Sequence, residues 1–353
     1  MKLLRTLSAL LLAGVAKAEG KSCRALAMSG GGSKGSFEAG VMWGLVQNDP
    51  EPSKYEWDVV TGVSAGSLNA AIVTGFEIGK EKEMTEWISD FFANTANSDA
   101  YKQWKIGGMV RGLTDKAGVF DISPAYDLVS NAIKDLGTVK RKFGVSAVDV
   151  NTGAYVVWNE TLAREEQYRA FMSSALIPGV FEPDHWGDYV LMDGGTVWNT
   201  NLVTAVQRCR EQVDDDSEIT VDIIVCGYPN LDQNWEFQNH AINNWLRYKD
   251  ISDYHKDTRD VAEFMQAFPN VNFRYFVPPS EYLPGNGLGM LDFSNDTSTW
   301  PMQMIGRQDG ENALQSGEGF LFGKIKEWNE SPSLQAEFPK VGEYVHHVNK
   351  IQK

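Results

Sequence analysis

Asp58-Val59-Val60-Thr61-Gly62-Val63-Ser64-Ala65-Gly66-Ser67 is the stretch on which the fold turns. The segment Glu56 to Thr61, with Val59-Val60 before Gly62, predicts a strand. Ser67 to Phe76 predicts a helix of small residues. Between them stands a Ser with Gly two positions before and two after it. Such a turn is too tight for larger flanking side chains, and it lifts the Ser Oγ above the sheet edge beside a helix N-terminus. The same order occurs upstream. Arg24 to Met28 is an apolar run, Ser29 to Gly35 is a glycine loop, and Phe37 to Gln47 carries Ala39, Val41, Trp43 and Leu45 near helical spacing. Strand, turn and helix twice in succession predict an α/β fold with a largely parallel sheet.

The rest of the chain continues the pattern. Phe143 to Val150 and Ala154 to Trp158 read as strands joined at the turn Asn151-Thr152-Gly153. Leu162 to Ser174 and Asn201 to Gln212 read as helices, and Val190 to Met192 as a short strand. Ile219 to Cys226 is nearly continuous Val and Ile, as in a strand covered on both faces. Asn239 to Phe268 reads as one or two helices and Val271 to Val277 as a late strand. Ser280 to Gly310 reads as irregular, and Glu311 to Trp328 as a terminal helix.

Composition narrows the class. The 353 residues are 42% hydrophobic and 22% charged with a formal net charge of −15. That is a globular balance, and the acidity argues against nucleic acid, which needs clustered Lys and Arg. Met1 to Ala18 has the grammar of a secretory signal peptide: Lys2 and Arg5, an uncharged run from Leu7 to Ala16, and Ala16-Lys17-Ala18 before a cleavage point. That run would span about 15 Å as a helix, half a hydrocarbon core. Loss of its three cations takes the charge from −15 to −18. A secreted or lumenal protein is expected, with 19–353 as one domain. Cys23, Cys209 and Cys226 permit a bridge there without indicating the pair. Asn159 and Asn295 are candidate glycosylation positions, and Asn329 precedes Glu330-Ser331-Pro332.

Two further motifs carry chemistry. Gly30-Gly31-Gly32-Ser33-Lys34-Gly35 can point several backbone N–H groups at one oxygen that becomes negative in a transition state. It does not meet the dinucleotide fingerprint, and the Gly-Lys-Ser/Thr of a phosphate-binding loop is absent, since Lys34 precedes Gly35. Asp193-Gly194-Gly195 puts a carboxylate at a strand end beside two glycines. None of the five histidines (His185, His240, His255, His346, His347) falls in a recognisable strand-end loop, although His240 or His255 would fit the order Ser, acid, His.

Taken in order, these motifs resemble the patatin-like phospholipase family. The glycine loop Ser29 to Gly35, the elbow Gly62 to Gly66 and the segment Asp193 to Gly195 carry the resemblance. Ser173-Ser174-Ala175-Leu176-Ile177-Pro178-Gly179-Val180-Phe181-Glu182-Pro183 is similar to the family's segment before its catalytic Asp. The resemblance covers about 24–230. It implies a three-layer α/β fold with helices on both faces and a Ser-Asp dyad: Ser64 as nucleophile, Asp193 as base and then acid. It further implies an oxyanion hole at Gly30, Gly31 and Gly32, supported by Lys34, Gly35, Gly62, Gly66, Gly194 and Gly195, and no metal or cofactor. The expected activity is serine ester hydrolysis on a phospholipid or other acyl-ester lipid through an acyl-enzyme. A storage protein of the same fold and an acyltransferase are the alternatives. The chain departs from the family pattern at Ser29, where an Asp is usual, and after Asp193, where Asn199-Thr200-Asn201-Leu202 lacks a Pro.

Contact with a membrane surface is expected as well. Tyr101 to Leu113 interleaves Trp104, Ile106, Met109 and Val110 with Lys102, Lys105 and Arg111, a basic, apolar island in an acidic chain. Leu288 to Ile305 is a second apolar candidate.

Overall fold

The computed structural model describes residues 21–227, 241–284 and 287–330. The expected signal peptide at Met1 to Ala18, His240, His346 and His347 lie outside them, as do the side chains of His255 and Asn329. Eight strands form one sheet: β1 (Cys23–Met28), β2 (Val59–Gly62), β3 (Lys142–Asp149), β4 (Tyr155–Trp158), β5 (Asp184–Trp186), β6 (Tyr189–Asp193), β7 (Ile219–Ile224) and β8 (Asn272–Val277). Their order is β5-β6-β3-β2-β1-β7-β8, with β4 also paired to β3. The five strands from β3 to β8 in that order are parallel. β4 and β6 run antiparallel to β3, and β5 antiparallel to β6.

The helices are α1 (Gly35–Asn48), α2 (Ala65–Val73), α3 (Glu81–Asn94), α4 (Asn97–Ala100), α5 (Gly108–Thr114), α6 (Ser123–Leu136), α7 (Arg164–Ser173), α8 (Leu202–Cys209), α9 (Ala241–Ala267), α10 (Trp300–Ser316) and α11 (Phe320–Glu330). The two-residue period of a strand divides them between the faces. Leu26 and Met28 of β1 join Val60, Phe143 and Val145 in a core with α1, α2, α3, α6 and α7. Ala25 and Ala27 join Val59, Val221 and Ile223 in a second core with α8 and residues of α9 and α11. The sheet is therefore the middle of three layers. Every residue of β2 and all but one of β1 are buried, which is why these segments read as apolar runs without alternation.

Several readings of the sequence change. β6, the short strand expected at Val190 to Met192, runs from Tyr189 to Asp193 and is antiparallel to both β3 and its hairpin partner β5. Ser280 to Gly310 is not irregular throughout. Its last part is the first two-thirds of α10, whose glycines let it lie backbone to backbone on α1: a Cβ on Gly306 would stand 2.2 Å from Phe37 O, and one on Gly40 2.2 Å from Gln303 O. The expected terminal helix is split, with a break at Gly317 and Gly319, both at positive φ. Helices α3 and α6 fill the stretch between β2 and β3 that the motif reading left open. Cys23 and Cys209 form a disulfide with Cα atoms 5.5 Å apart, tying the start of β1 to the end of α8, and Cys226 is a buried thiol. Among the described residues no helix is long and apolar enough to cross a membrane.

Candidate active site

Ser64 lies between the end of β2 and the start of α2 with φ 51° and ψ −118°. Among the described residues it is the one non-glycine at positive φ. Such a backbone costs on the order of 1–3 kcal/mol and persists only where neighbours over-determine it. Here they do. The Ser64 N–H donates to Ser174 Oγ at 3.0 Å. Gly66 N–H donates to Val63 O (2.8 Å) and Ser29 O (3.0 Å), and Val63 N–H to Met28 O (3.2 Å). The flanking glycines are needed for space: a Cβ on Gly62 would sit 2.1 Å from Gly66 O, and one on Gly66 2.6 Å from Met28 O.

Sheet register brings Asp193 to the same level. Gly62 pairs with Val145 on β3, so Ser64, two residues on, stands level with Ala147. Ala147 pairs on its other side with Asp193. The two residues thus flank β3, about two strand spacings or roughly 10 Å apart at Cα. Ser64 is 5% and Asp193 6% exposed. Asp193 Oδ1 accepts from Gly195 N at 2.7 Å, and Asp193 N–H donates to Leu176 O at 2.9 Å. The segment after α7 therefore holds both residues, Ser64 through the Ser174 hydroxyl and Asp193 through the Leu176 carbonyl. That gives the Ser173 to Pro183 motif a physical task.

The glycine loop is clamped by the segment that follows Asp193. Gly30 N–H donates to Asn199 O at 3.0 Å, Asn199 Nδ2 donates to Gly30 O at 3.3 Å, and Ser29 and Thr200 form a β-bridge. The Asn199 side-chain oxygen fills the space where a Cβ on Gly30 (2.6 Å) or on Gly195 (2.8 Å) would lie. Ser29, where the family has Asp, accepts from Cys226 N at 2.8 Å through its hydroxyl, so the position still anchors the loop. Lys34 N–H donates to Gly31 O (3.2 Å), closing the loop into α1. Beneath it lies a buried polar cluster. Asn69 Nδ2 reaches both Gly35 O (2.9 Å) and Glu38 Oε2 (2.8 Å), and the Cys226 thiol donates to Lys34 O (3.4 Å). Burial pushes the Glu38 carboxyl well above the usual carboxylate range, and burial with Glu38 nearby does the same to the Cys226 thiol.

Ser64 opens onto an apolar pocket enclosing about 920 Å³ of empty space with its mouth. Gly32 and Ser64 stand at one end, and α2 and α6 form two walls. Phe91, Phe92, Leu291 and Phe293 also line it. Leu291 and Phe293 come from the segment of the second apolar candidate, which thus walls the pocket in part. Asn97 fixes that wall, its Oδ1 accepting from Phe293 N at 2.5 Å.

A family model for patatin-like phospholipases matches residues 26–206, a span holding the glycine loop, the elbow and Asp193. The chain belongs to the patatin-like phospholipase family. No curated protein matches it. Among solved structures it is similar to VipD from Legionella pneumophila, at 13% identity and TM-score 0.40 over 84% of this chain and 67% of that one. It is also similar to ExoU in its complex with SpcU from Pseudomonas aeruginosa (14%, TM-score 0.34, 94% of this chain and 59% of that one). A second ExoU structure gives 14% and 0.33 over 84% and 53%. The chain thus spans between about half and two-thirds of these structures' own chains.

Other expected residues of this patatin-like chain fall elsewhere. Ile106, Val110 and Leu113 are 74%, 70% and 72% exposed, with Met109 beside them on α5. Trp104 turns inward instead: its Nε1 donates to Gly118 O (3.1 Å) and Lys116 stacks on its ring. Val110 is one of the apolar residues expected in the island, and Leu113, which ends it, adds to the exposed set. Asn159 lies in a turn closed by Thr161, whose N–H donates to its Oδ1 at 3.0 Å. Asn295 has its amide oxygen buried. His185 is exposed on the edge strand β5, three strand spacings or roughly 14 Å from β2. Among the described residues no three His, Cys, Asp or Glu side chains gather to hold a metal.

Proposed function

We infer lipid hydrolase activity, which membership of the patatin-like phospholipase family supports. We propose that the protein is a secreted acyl hydrolase of phospholipids or related esters that works through a Ser64–Asp193 dyad. The observation that carries this reading is Ser64 itself, the described non-glycine at positive φ, set at the end of an apolar pocket of acyl-chain character. A strained, hydrogen-bonded elbow at such a pocket is the mark of a nucleophile.

In this mechanism Ser64 Oγ attacks the ester carbonyl carbon and its proton passes to Asp193. The carbonyl oxygen becomes an oxyanion. Gly30 N–H is engaged with Asn199 O, so the loop's N–H donors to that oxygen are those of Gly31 and Gly32. One such donor is worth about 3–4 kcal/mol of barrier. The tetrahedral intermediate collapses as Asp193 returns the proton to the leaving alkoxide, giving the alcohol and an acyl-Ser64. Water then attacks the acyl carbon, Asp193 takes its proton, and the fatty acid leaves as Ser64 Oγ is reprotonated. The Cys23–Cys209 disulfide supports an oxidising compartment, in line with the Met1 to Ala18 signal.

The deciding experiment is incubation with vesicles of one defined phosphatidylcholine and analysis of every product. Free fatty acid and lysolipid in equal amounts are expected. Acyl transfer to an added alcohol in place of water would favour the transferase, and no product at all the storage role.

The exposed part of the island docks the pocket on the lipid surface. Its neck is closed by reciprocal bonds of 2.9 Å between Lys102 and Asp121. The flanking residues Tyr101 and Ile122 line the pocket, so α5 stands at the rim. Lys105 and Arg111 give this rim a cationic character that the chain as a whole lacks, which suits it to anionic or zwitterionic lipid. Val110→Ser with Leu113→Ser is expected to weaken vesicle binding by roughly tenfold or more while turnover of a short soluble ester stays within about twofold of wild type. A sedimentation assay beside a butanoate ester assay checks this, and equal loss in both would assign α5 to packing instead.

A further inference from the structure

The shape of the pocket carries more than the presence of a lipid site. On α2 the lining residues are Ala65, Leu68 and then Ala71 with Ile72. On α6 they recur at the same helical spacing from Ala125 to Leu136. Both helices run the same way. Ile122, at the start of α6, packs with Leu291 near the Ser64 end. Leu136, at its finish, lies against Gly75, just past α2, where a Cβ would meet Leu136 Cβ at 2.7 Å. Ile72 and Ile133, both buried, line the last turn before Leu136. From Ala125 to Leu136 is about 16 Å of helix. An extended chain of C–C bonds of about 1.5 Å advances roughly 1.25 Å per methylene, so about a dozen carbons fill that length. Beside Ile72 and Ile133, about one turn short of Leu136, the walls carry Ala71 and Ala132, which leave the bore open.

We infer that this channel is a ruler for one straight acyl chain, with Leu136 as its stop and Ala71 and Ala132 as the residues that keep its depth accessible. The inference rests on the acyl-hydrolase reading above and adds the substrate class: esters whose acyl part is a single unbranched chain of about a dozen carbons. Each methylene drawn into the channel should strengthen binding by roughly fourfold, and the gain should stop where the channel does. An acyl chain that is longer must fold back or leave its end outside.

The test is a series of p-nitrophenyl esters, from butanoate through octanoate and dodecanoate to hexadecanoate, assayed below their aggregation concentrations. For the wild type, kcat/KM is expected to peak at dodecanoate and to fall at hexadecanoate. Ala132→Phe blocks the bore, and the ratio of dodecanoate to butanoate turnover should drop by about tenfold or more, with the peak at octanoate or below. Leu136→Ala removes the stop and should move the peak the other way, towards hexadecanoate. The opposite shifts separate a ruler from general damage, because a destabilised fold lowers all four esters together. Identical profiles in wild type and both variants, with turnover retained, would overturn the ruler and leave the acyl-hydrolase reading intact. No turnover of any ester by the folded wild-type protein would overturn that reading and the ruler with it.

Discussion

Ser64→Ala is expected to lower kcat/KM on an ester substrate by about 10⁴-fold or more, with KM changed little where activity can still be measured. The nucleophile contributes nothing to substrate binding that a methyl group would not, so the loss falls on the chemical step. Stability should separate the variants in an instructive way. Ala keeps the Cβ, and with it the unfavourable φ of 51°. The Ser64 N–H still donates to Ser174 Oγ, because that bond is made by the backbone. Ser64→Ala should therefore melt close to wild type. Ser64→Gly removes the Cβ that makes positive φ costly and should be more stable than Ser64→Ala by about 1 kcal/mol. A protein that loses turnover without losing stability has lost chemistry. Differential scanning calorimetry beside the ester assay makes that comparison.

Asp193→Asn should lower kcat by about 10²–10⁴-fold, the usual worth of a positioned general base. The substitution keeps shape and keeps an oxygen that can accept from Gly195 N, a bond of 2.7 Å in the native protein. The Asp193 N–H to Leu176 O bond is untouched, since it belongs to the backbone. The loop should therefore stand, and the dyad should lose the atom that carries the proton. The dependence of kcat/KM on pH gives a second readout. The rise on the acid side, which reports ionisation of the base, should vanish in the variant. An unchanged profile with full activity would mean that another group takes the proton.

How much of this site the amino-acid sequence discloses depends on how local each constraint is. Gly62, Gly66, Gly30, Gly31, Gly32 and Asp193 each act in a turn a few residues long at the end of a strand. The motifs are short enough to be read without a structure, although only Gly62 is limited by its own turn, and the atoms that crowd Gly30, Gly31, Gly32 and Gly66 belong to Asn199, Cys226, Met290 and Met28. The pocket is different. Its walls come from α2, α3, α6 and the segment at Leu291 and Phe293, which are adjacent only in three dimensions. A signal was present even so. Met84, Ile88 and Phe92 recur every four residues, as do Ala125, Val129 and Ile133, and all six are buried. Helical periodicity alone marks a core face, however, and does not distinguish a packed wall from an open one.

Other features depend on long-range register. Asn199 clamps Gly30 across 169 positions of chain, and nothing local to Asn199 announces it. Ser29 looks like a lost anchor until Cys226 N is seen to donate to its hydroxyl. Three cysteines allow three pairings. Cys23 and Cys209 meet because the first residue of β1 and the last of α8 share one core, while Cys226 lies under the glycine loop. The misreading of α10 has the same origin. Gly306 and Gly310 weaken a helix in isolation, and their value appears only where α1 comes close enough to need them.

The central claim is that Ser64 is the acylated nucleophile. The most direct measurement is to treat the folded protein with a fluorophosphonate, digest it, and locate the adduct by mass spectrometry. One label per chain, on the peptide containing Ser64 and absent from Ser64→Ala, is the predicted result. Ester turnover by a protein whose label lies on another residue, or that takes no label at all, would contradict it.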